Sequence, residues 1–247
     1  MNIALIGYGK MGKTIERLAE ERGHRIVLKV DREEIAALTP EALKAAHVAI
    51  AFTQPDAAVA NIYRCFEAGI PIVCGTTGWY EHKADVDARC KLGGHTLFTA
   101  SNFSIGVNLL FAINERLAEL MNRQPAYREV LIHETHHLQK LDAPSGTAIS
   151  LAEQIVGRLD RLHAWHAYRH DESVTAGPES KGELPVFSSR EDDVPGTHVV
   201  KYVSEADELE LVHKAYNRTG FATGALMAAE WVVGKRGVFG MKDLLSL

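Results

Sequence analysis

The sequence predicts an α/β protein with a second, inserted domain of the α+β class. Up to residue 104, short apolar segments alternate with segments whose apolar residues recur at helical spacing, which is typical of a parallel sheet built from right-handed crossovers. From residue 185 onward, three strand-like segments follow one another with only turn-rich pieces between them, which favours an antiparallel meander. A final helix and tail are expected to pack back on the first domain.

The N-terminal part contains five short predicted strands. Segments that are apolar throughout, such as Ile70 to Val73, suit a sheet that is covered on both faces. Gly69 follows an apolar helical pattern and is a natural C-cap. The predicted strands are 2–6, 25–30, 47–52, 70–74 and 96–99, and the predicted helices are 14–22, 41–46 and 56–68.

The second half of the chain contains longer helices and the predicted meander. The polar segment 161–184, which is rich in His, Gly and Glu, is predicted to be a long loop. The helices are predicted at 107–121, 147–159 and 221–233, and the strands at 129–134, 185–190, 197–203 and 208–216.

Composition restricts the partners and the compartment. The 247 residues are 46% hydrophobic with a formal net charge of -5, so nothing indicates the clustered basic surface that nucleic acid requires. Cys65, Cys74 and Cys90 lack a CxxC spacing and fit a reducing compartment better than a disulfide framework. No signal peptide is evident, and no apolar run reaches the roughly 18 to 20 residues of a membrane span. We therefore expect a cytoplasmic protein with no nucleic-acid or membrane partner.

A glycine-rich turn follows the first predicted strand directly and opens the first helix. Its residues, Gly7-Tyr8-Gly9-Lys10-Met11-Gly12, form the GxGxxG pattern in the strand–turn–helix context that dinucleotide binding requires. The first glycine permits the tight turn, the second lets the backbone approach a pyrophosphate, and the third lets helix and strand pack closely. Free N–H groups of the helix N-terminus then face the phosphates. The pattern predicts a Rossmann-type, doubly wound parallel sheet; the alternative is a glycine-rich turn in another α/β protein.

Three further features bear on the cofactor. Asp31 ends the second predicted strand, 19 residues after Gly12, where a carboxylate accepts hydrogen bonds from adenosine ribose hydroxyls. Arg32 and Lys10 are placed to bind a ribose 2′-phosphate, although Arg32 is equally compatible with an ordinary surface arginine. The segment Gly75-Thr76-Thr77 follows the fourth strand, at the edge where a nicotinamide ring or its ribose lies. We therefore expect NADH or NADPH, with both in use.

The largest concentration of potentially catalytic side chains lies in one short segment near the middle of the chain. His136, His137 and Lys140 precede a predicted helix start. Histidine titrates near neutral pH and serves as a general acid or base, and lysine supplies positive charge or a proton. Ser145-Gly146-Thr147 stands at the N-terminus of that helix, which is a ready binding place for a substrate carboxylate.

The same segment contains a formal zinc-protease signature, HExxH, at residues 133–137. That signature requires a helix, so that its two histidines share one face, and a third ligand. Here β-branched and apolar residues lead into the segment, Pro144 follows soon after it, and no downstream ligand pattern stands out. We therefore expect no metal at this site.

Residues Glu134 to Ala148 resemble the signature E-x-H-H-x-x-K-x-D-x-P-S-G-T-A of the dihydrodipicolinate reductases, also called 4-hydroxy-tetrahydrodipicolinate reductases, of bacterial lysine and diaminopimelate synthesis. The resemblance runs the length of the chain. Further matching segments are GYGKMG in the N-terminal turn, 75–78, 100–108, and 213–215 with Arg218, Phe221 and Gly224.

The resemblance implies a dinucleotide-binding domain, 1–104 plus 216–247, and an inserted substrate-binding and oligomerisation domain, 105–215, that assembles a homotetramer. It implies a small-molecule dicarboxylate substrate, a cyclic unsaturated imine that NADH or NADPH reduces to tetrahydrodipicolinate, with water lost from the hydroxylated precursor. Many members carry one more residue in the glycine turn than this chain has between Gly7 and Gly12, so the choice between the two cofactors stays open.

Carried over position by position, the resemblance assigns proton transfer to His136 and Lys140. It assigns the substrate-binding residues as His137, Gly146 and Thr147. The residues that line the nicotinamide side would be Gly75, Thr76, Thr77, Ala100, Ser101, Asn102 and Phe103. Two other classes share part of this pattern: a different Rossmann-type oxidoreductase with an inserted α+β domain, and an NAD(H) sensor that binds without turnover.

Overall fold

The computed structural model describes residues 1–169 and 182–247. Internal contacts divide the chain into two compact units: unit 1 contains Met1–Ile105 with Thr219–Leu247, and unit 2 contains Gly106–Arg218. No helix in the described ranges combines the length and the apolar character that a membrane span needs.

The elements alternate strand and helix in the first half and change their order in the second. The strands are β1 (Asn2–Ile6), β2 (Arg25–Val30), β3 (Val48–Ala51), β4 (Ile72–Cys74), β5 (Thr96–Thr99), β6 (Glu129–His136), β7 (Ala164–Arg169), β8 (Glu183–Arg190), β9 (Gly196–Val203), β10 (Glu208–Ala215) and β11 (Gly237–Phe239). The helices are α1 (Lys10–Glu21), α2 (Pro40–Leu43), α3 (Pro55–Ala68), α4 (Lys83–Leu92), α5 (Ile105–Met121), α6 (Gly146–Val156), α7 (Thr219–Val232) and α8 (Met241–Leu245).

Unit 1 contains a six-stranded sheet in the order β11-β5-β4-β3-β1-β2, and every pair in it is parallel. Successive residues of a strand point to opposite faces, so Ala4 and Ile6 join one apolar core while Ile3 and Leu5 join the other. Helices α3 and α4 contribute to the first core, and α1 and α7 to the second. A sheet covered on both faces explains why its strands are apolar throughout, and it confirms the predicted doubly wound α/β class.

Unit 2 contains a five-stranded mixed sheet in the order β10-β9-β6-β8-β7. β9 runs antiparallel to both β10 and β6, whereas β8 runs parallel to both β6 and β7. The buried side chains of this sheet pack against apolar residues of α5 and α6, including Leu110, Leu151 and Ile155. The predicted antiparallel hairpin of β9 and β10 is confirmed.

The prediction that β8 and β9 are neighbours in a meander was wrong. β6 lies between them, with His136 beside Arg190 of β8 and Thr135 beside Thr197 of β9. The turn-rich piece 191–195 therefore passes the carboxyl end of β6, and the N–H of Glu191 donates to the carbonyl of His136 at 2.8 Å. Turn residues predict that the chain changes direction, but they do not predict which strands pair on either side of the turn. The predicted pairing of β8 with β9 was wrong for this reason.

Several elements differ from the predicted ones. The predicted loop 161–184 is wrong at 164–169, which form β7, and at 183–184, which begin β8; residues 170–181 lie outside the described residues. The sequence also missed α4, which buries only Val86 and Cys90 along ten residues and so has little apolar periodicity. The short β11 and α8 were missed because elements of three to five residues carry no periodic signal.

Candidate active site

The glycine-rich turn of unit 1 lies where β1 ends and α1 begins. Gly7 has a φ of 91°, a left-handed conformation, and a Cβ there would overlap the carbonyl oxygen of Phe52. A Cβ on Gly12 would lie 2.5 Å from the carbonyl oxygen of Gly7. Gly9 caps α1 without a side chain, and no atom of the described residues lies within 4 Å of a Cβ placed on it. The turn therefore keeps backbone N–H groups open to an anion, as dinucleotide binding requires.

Tyr8 is fixed beside this turn by neighbours that the sequence analysis did not identify. Its hydroxyl donates to Glu16, and the Lys29 ammonium lies 3.1 Å from the same carboxylate and 5.0 Å from the centre of the Tyr8 ring. The hydrogen bond to Glu16 raises the pKa of the Tyr8 hydroxyl. Met11 is half-buried against the second apolar core of unit 1, and Lys10 is exposed.

Asp31 follows β2 and caps the short 3-10 helix Arg32–Ala37. Its carboxylate accepts from the Arg32 N–H at 2.8 Å, and its own N–H donates to Glu34 at 3.3 Å. Asp31 and Arg32 both remain exposed. The carboxylate at the end of β2 is thus oriented by the backbone that follows it.

The segments after β4 and β5 contact the ring of Phe52, and the glycine turn contacts its backbone carbonyl. A Cβ on Gly75 would overlap the Phe52 ring, and the ring of Phe103 lies 5.7 Å from that ring. The hydroxyl of Thr76 accepts from the Thr53 N–H at 2.9 Å. Because the strands are parallel, their carboxyl ends share one edge, and Phe52 joins the three segments there. Its only sequence signal is its place at the end of an apolar strand.

The other residues predicted on this edge occupy different environments. Ala100 and Asn102 are half-buried, Ser101 and Thr77 are exposed, and Phe103 is buried. The Asn102 side chain accepts from the Ser104 N–H at 2.8 Å, which closes the turn after β5. A Cβ on Gly224 would overlap the carbonyl of Phe103, so α7 packs closely against this turn.

In unit 2, β6 carries the predicted His-rich segment as a strand. Glu134 and His136 lie two residues apart and share its buried face, whereas His133 points to the other face and stacks on Phe187 at 4.8 Å. His137 follows the end of the strand. The HExxH pattern therefore lacks the helix that a zinc protease requires.

Glu134 is buried and collects several donors. Both carboxylate oxygens lie 3.0 Å from the Ser145 N–H nitrogen, the Ser188 hydroxyl donates at 2.9 Å, and an Arg190 nitrogen lies 3.5 Å away. Burial by itself raises the pKa of Glu134, but the adjacent His136 ring and hydrogen bonds from Ser145 and Ser188 outweigh burial and bring it to about 2. Glu134 is therefore anionic at neutral pH.

Two buried histidines lie next to this carboxylate. His136 Nδ1 is 3.3 Å from Glu134 Oε2, without hydrogen-bond alignment, and its ring meets that of His198 edge-on at 5.1 Å. His198 Nε2 lies 3.0 Å from the Ser145 hydroxyl. Burial, followed by the charge of His136, lowers the pKa of His198 to about 3. His198 is therefore neutral at physiological pH.

Glu134, His136 and His198 also form a group with metal-ligand spacing, since their ligand atoms lie within 4.8 Å of one another. Their existing partners argue against a metal. Both oxygens of Glu134 accept from Ser145, and His198 Nε2 is already bonded to the hydroxyl of that serine. The Nδ1 atoms of His136 and His198 have no hydrogen-bond partner among the described residues, so the absence of a metal here stays a prediction.

Lys140 lies on the loop between β6 and α6. Its ammonium bonds both carboxylate oxygens of Asp142, at 2.8 and 2.7 Å. This hydrogen bond lowers the pKa of the Asp142 carboxyl. Arg190 donates to the carbonyls of Lys140 and Asp142 at 3.2 and 2.6 Å. No sequence pattern indicates a role for Arg190 or His198, because only strand pairing brings them to this loop.

The loop ends at the N-terminus of α6, where Ser145 caps the helix by accepting from the Ala148 N–H at 3.2 Å. Gly146 is exposed, with no atom of the described residues within 4 Å of a Cβ placed on it, and Thr147 is half-buried. His137 is half-buried, and its Nδ1 has no hydrogen-bond partner among the described residues. One strand and the loop after it thus position several groups of the site. His136 ends β6, and His137, Lys140 and the N-terminus of α6 follow it along the chain.

A glycine-rich turn at the strand-to-helix junction of a two-sided parallel sheet places this chain among the NAD(P)-dependent oxidoreductases. Its sequence belongs to the dihydrodipicolinate reductase family. The family model for the N-terminus of dihydrodipicolinate reductase matches residues 1–103, and the model for its C-terminus matches residues 106–245. The family uses NADH or NADPH.

Individual relatives agree with this membership. The chain is 46% identical to a 4-hydroxy-tetrahydrodipicolinate reductase of Christiangramia forsetii, covering 100% of this chain and 98% of that one. It is 33% identical to the enzyme of the same name from Acinetobacter baumannii, covering 99% and 96%. A dipicolinate-bound dihydrodipicolinate reductase from Paenisporosarcina sp. TG-14 has the same fold, with a TM-score of 0.78 at 23% identity and 98% coverage of both chains. No observation favours a different oxidoreductase or an NAD(H) sensor.

Proposed function

We propose that this protein reduces 4-hydroxy-tetrahydrodipicolinate to tetrahydrodipicolinate with NADH or NADPH, in diaminopimelate and lysine synthesis. The substrate loses water and gains one hydride and one proton. The observation that carries the proposal is the cluster in unit 2, where an anionic Glu134 binds the N–H of Ser145 at the start of α6, with His136 beside it and Lys140 on the loop that leads to this helix. Full-length similarity to reductases of this name supports the same reaction.

Unit 1 is the proposed nucleotide-binding part, and its bounds differ by one to three residues from the predicted 1–104 plus 216–247. The residues that fit the cofactor are Gly7 to Gly12 for the pyrophosphate, Asp31 with Arg32 and Lys10 for the adenosine ribose, and 75–77 with 100–103 for the nicotinamide. Gly7 and Gly12 leave no room for a Cβ within the turn, and the open space around Gly9 lets the backbone approach a pyrophosphate, which supports this fit. The reduced nicotinamide supplies the hydride when bound.

Unit 2, whose bounds differ by one and three residues from the predicted 105–215, is the proposed substrate-binding part. A dicarboxylate is attracted by the Lys140 ammonium and by the N–H groups of Gly146 and Thr147 at the start of α6. His137 contributes a further polar contact. The carbon next to the hydride acceptor needs a proton, and His136 and Lys140 are the groups that transfer it. Glu134 orients this site by binding the N–H of Ser145.

The experiment that tests the reaction follows absorbance at the reduced nicotinamide band. Freshly made product of the preceding synthase is added to the purified protein with NADH and NADPH in separate runs. Substrate-dependent oxidation is expected, and the ratio of the two rates gives the cofactor preference. Folded protein that binds either cofactor but oxidises neither would contradict the proposal.

We also propose a homotetramer in the cytoplasm. The edge strand β10 supports assembly, because it exposes Leu209 and Val212 together with a backbone edge that pairs with no strand of the described residues. A reducing compartment is supported by the three cysteines, which are free and buried.

A further inference from the structure

Arg190 ends β8 at the point where the sheet of unit 2 meets the Lys140 loop. β8 is the parallel neighbour of β6, and the register places Arg190 directly beside His136. From there the guanidinium reaches residues 140–142, which follow β6 in the chain. Arg190 is thus the side chain that connects the sheet to the backbone carrying Lys140.

Each nitrogen of the guanidinium has a main-chain partner. Nε donates to the carbonyl of Lys140 at 3.2 Å, Nη2 to the carbonyl of Asp142 at 2.6 Å, and Nη1 to the carbonyl of Ser189 at 2.7 Å. Nη1 also lies 3.5 Å from Oε1 of the buried Glu134. The planar guanidinium therefore holds the carbonyls of Lys140 and Asp142 close to the charge of Glu134, which lies in the sheet.

Apolar burial does little to hold this loop. Leu138 is 63% exposed and Leu141 is 97% exposed, so neither side chain anchors the backbone in a core. Within the loop, the Lys140 N–H donates to the His137 carbonyl at 3.0 Å, and the Lys140 ammonium bonds the exposed Asp142. These contacts shape the turn, whereas the Arg190 contacts connect it to the sheet.

We propose that Arg190 is a positioning residue for the Lys140 ammonium and does not itself bind substrate. The inference rests on the proposed role of Lys140 in proton transfer. All three guanidinium nitrogens already donate hydrogen bonds, and the Arg190 side chain is only 20% exposed. The guanidinium is therefore poorly placed to bind a substrate carboxylate. A displacement of about 1 Å in a catalytic group lowers turnover by about 10²-fold, so loss of this connection should act on kcat more than on KM.

The test is a double-mutant cycle of Arg190→Ala and Lys140→Ala in the full-length protein, with kcat and KM measured for each variant. Arg190→Ala is expected to lower kcat by about 10- to 100-fold with KM within about threefold of the parent, because only the geometry of the proton donor changes. In the Lys140→Ala background, assayed at high enzyme concentration, the same change is expected to have no further effect on kcat.

Two variants separate positioning from folding. Arg190→Lys retains the charge next to Glu134 but cannot bond both loop carbonyls in one plane, so it should fold and still lose kcat. Arg161→Met is the matched control, because Arg161 likewise donates to a main-chain carbonyl of unit 2, in its case that of Tyr127 at 3.0 Å, and should retain the parent kcat.

Different failures have different meanings. Additive losses in the double variant, or a raised KM with unchanged kcat, would overturn the positioning role, and the raised KM would make Arg190 a substrate-binding residue. Parent-like kcat in folded Arg190→Lys would also overturn it. Parent-like kcat in Lys140→Ala would instead contradict the role of Lys140 in the proposed function.

Discussion

Glu134 is the residue on which the polar contacts of unit 2 converge. Ser145, Ser188 and Arg190 all direct donors at its buried carboxylate, and two histidines lie next to it. The donors come from the loop and from β8, and His198 of β9 lies 3.8 Å from the same carboxylate, so three parts of the chain meet at one charge. Removing a donor from such a group leaves a buried charge less well satisfied, which is destabilising.

Acidification should reveal the contribution of this charge to stability. The pKa of Glu134 is about 2 in the folded protein, against an ordinary value of 4.5, which corresponds to about 3 kcal/mol. A depressed folded pKa stabilises fully above the ordinary pKa, and the contribution is lost as pH falls toward the folded value. We expect the free energy of unfolding, from urea titrations, to fall more between pH 4.5 and 2 in the parent than in Glu134→Gln.

The comparison with Glu134→Gln is needed because His198 also responds to acid. Its pKa of about 3, against an ordinary 6.5, keeps it neutral, so both proteins lose stability as pH falls from 6.5 toward 3. Only the difference between the two proteins reports on Glu134. Parallel losses in parent and variant over the whole range would contradict this account.

His136 and Lys140 should affect turnover without affecting folding. We expect His136→Ala or Lys140→Ala to lower kcat by about 10²- to 10⁴-fold, the usual contribution of a general acid or base. The measurement is kcat by nicotinamide absorbance, with the unfolding midpoint of each variant as control. Unchanged turnover in both variants would remove the catalytic assignment.

Asp31 and Arg32 should have opposite effects on the two cofactors. Asp31→Asn keeps a capping oxygen for the short helix but removes the charge that favours ribose hydroxyls, so we expect NADH to bind about tenfold more weakly and NADPH to change less. Arg32→Ala should weaken NADPH more. Fluorescence titration with each cofactor measures both effects, and equal changes for the two cofactors would dismiss this explanation of specificity.

At the scale of elements, two glycines of the turn are expected to have different roles. Gly12 is needed for both folding and cofactor binding, and Gly9 for cofactor binding alone. Gly12→Ala places a Cβ 2.5 Å from the Gly7 carbonyl and should destabilise unit 1 by about 1–3 kcal/mol as well as weaken cofactor binding. Gly9→Ala is the matched variant, because its Cβ meets no atom of the described residues within 4 Å. It should keep the parent melting temperature yet bind NADH more weakly; equal melting temperatures for both variants would refute this distinction.

The prediction of elements from the sequence succeeded where periodicity was strong. Strands β1, β2 and β5 agree with their predicted bounds, and α3 ends at Gly69 in the left-handed conformation that the sequence indicates, with a φ of 73°. The error at β8 and β9 had a different origin. Both strands were recognised, but the partner of each depends on β6, which lies about fifty residues earlier in the chain.

At the scale of the whole molecule, the proposed tetramer depends on the exposed face of β10. Val212 is 53% exposed on this edge strand, so Val212→Lys should lower the assembled mass from about four times 27.2 kDa, because a charge would have to be buried. Light scattering after size exclusion measures the mass. Leu92→Lys, at a position 90% exposed in unit 1, is the control that should leave it unchanged. A parent-like mass for Val212→Lys would exclude β10 from the interface.

By itself, the sequence determined the α/β class, the glycine turn and the segment that contains His136 and Lys140, although the predicted strand 129–134 ends two residues before His136, the last residue of β6. These features depend on periodicity, turn chemistry and short motifs, all of which lie within a few residues of one another. Only the tertiary structure decided that Phe52 joins the segments at the edge of the parallel sheet, and that Arg190 and His198 reach Glu134. Those contacts follow from which strands pair and in which register, and pairing between distant segments leaves no local pattern in the chain.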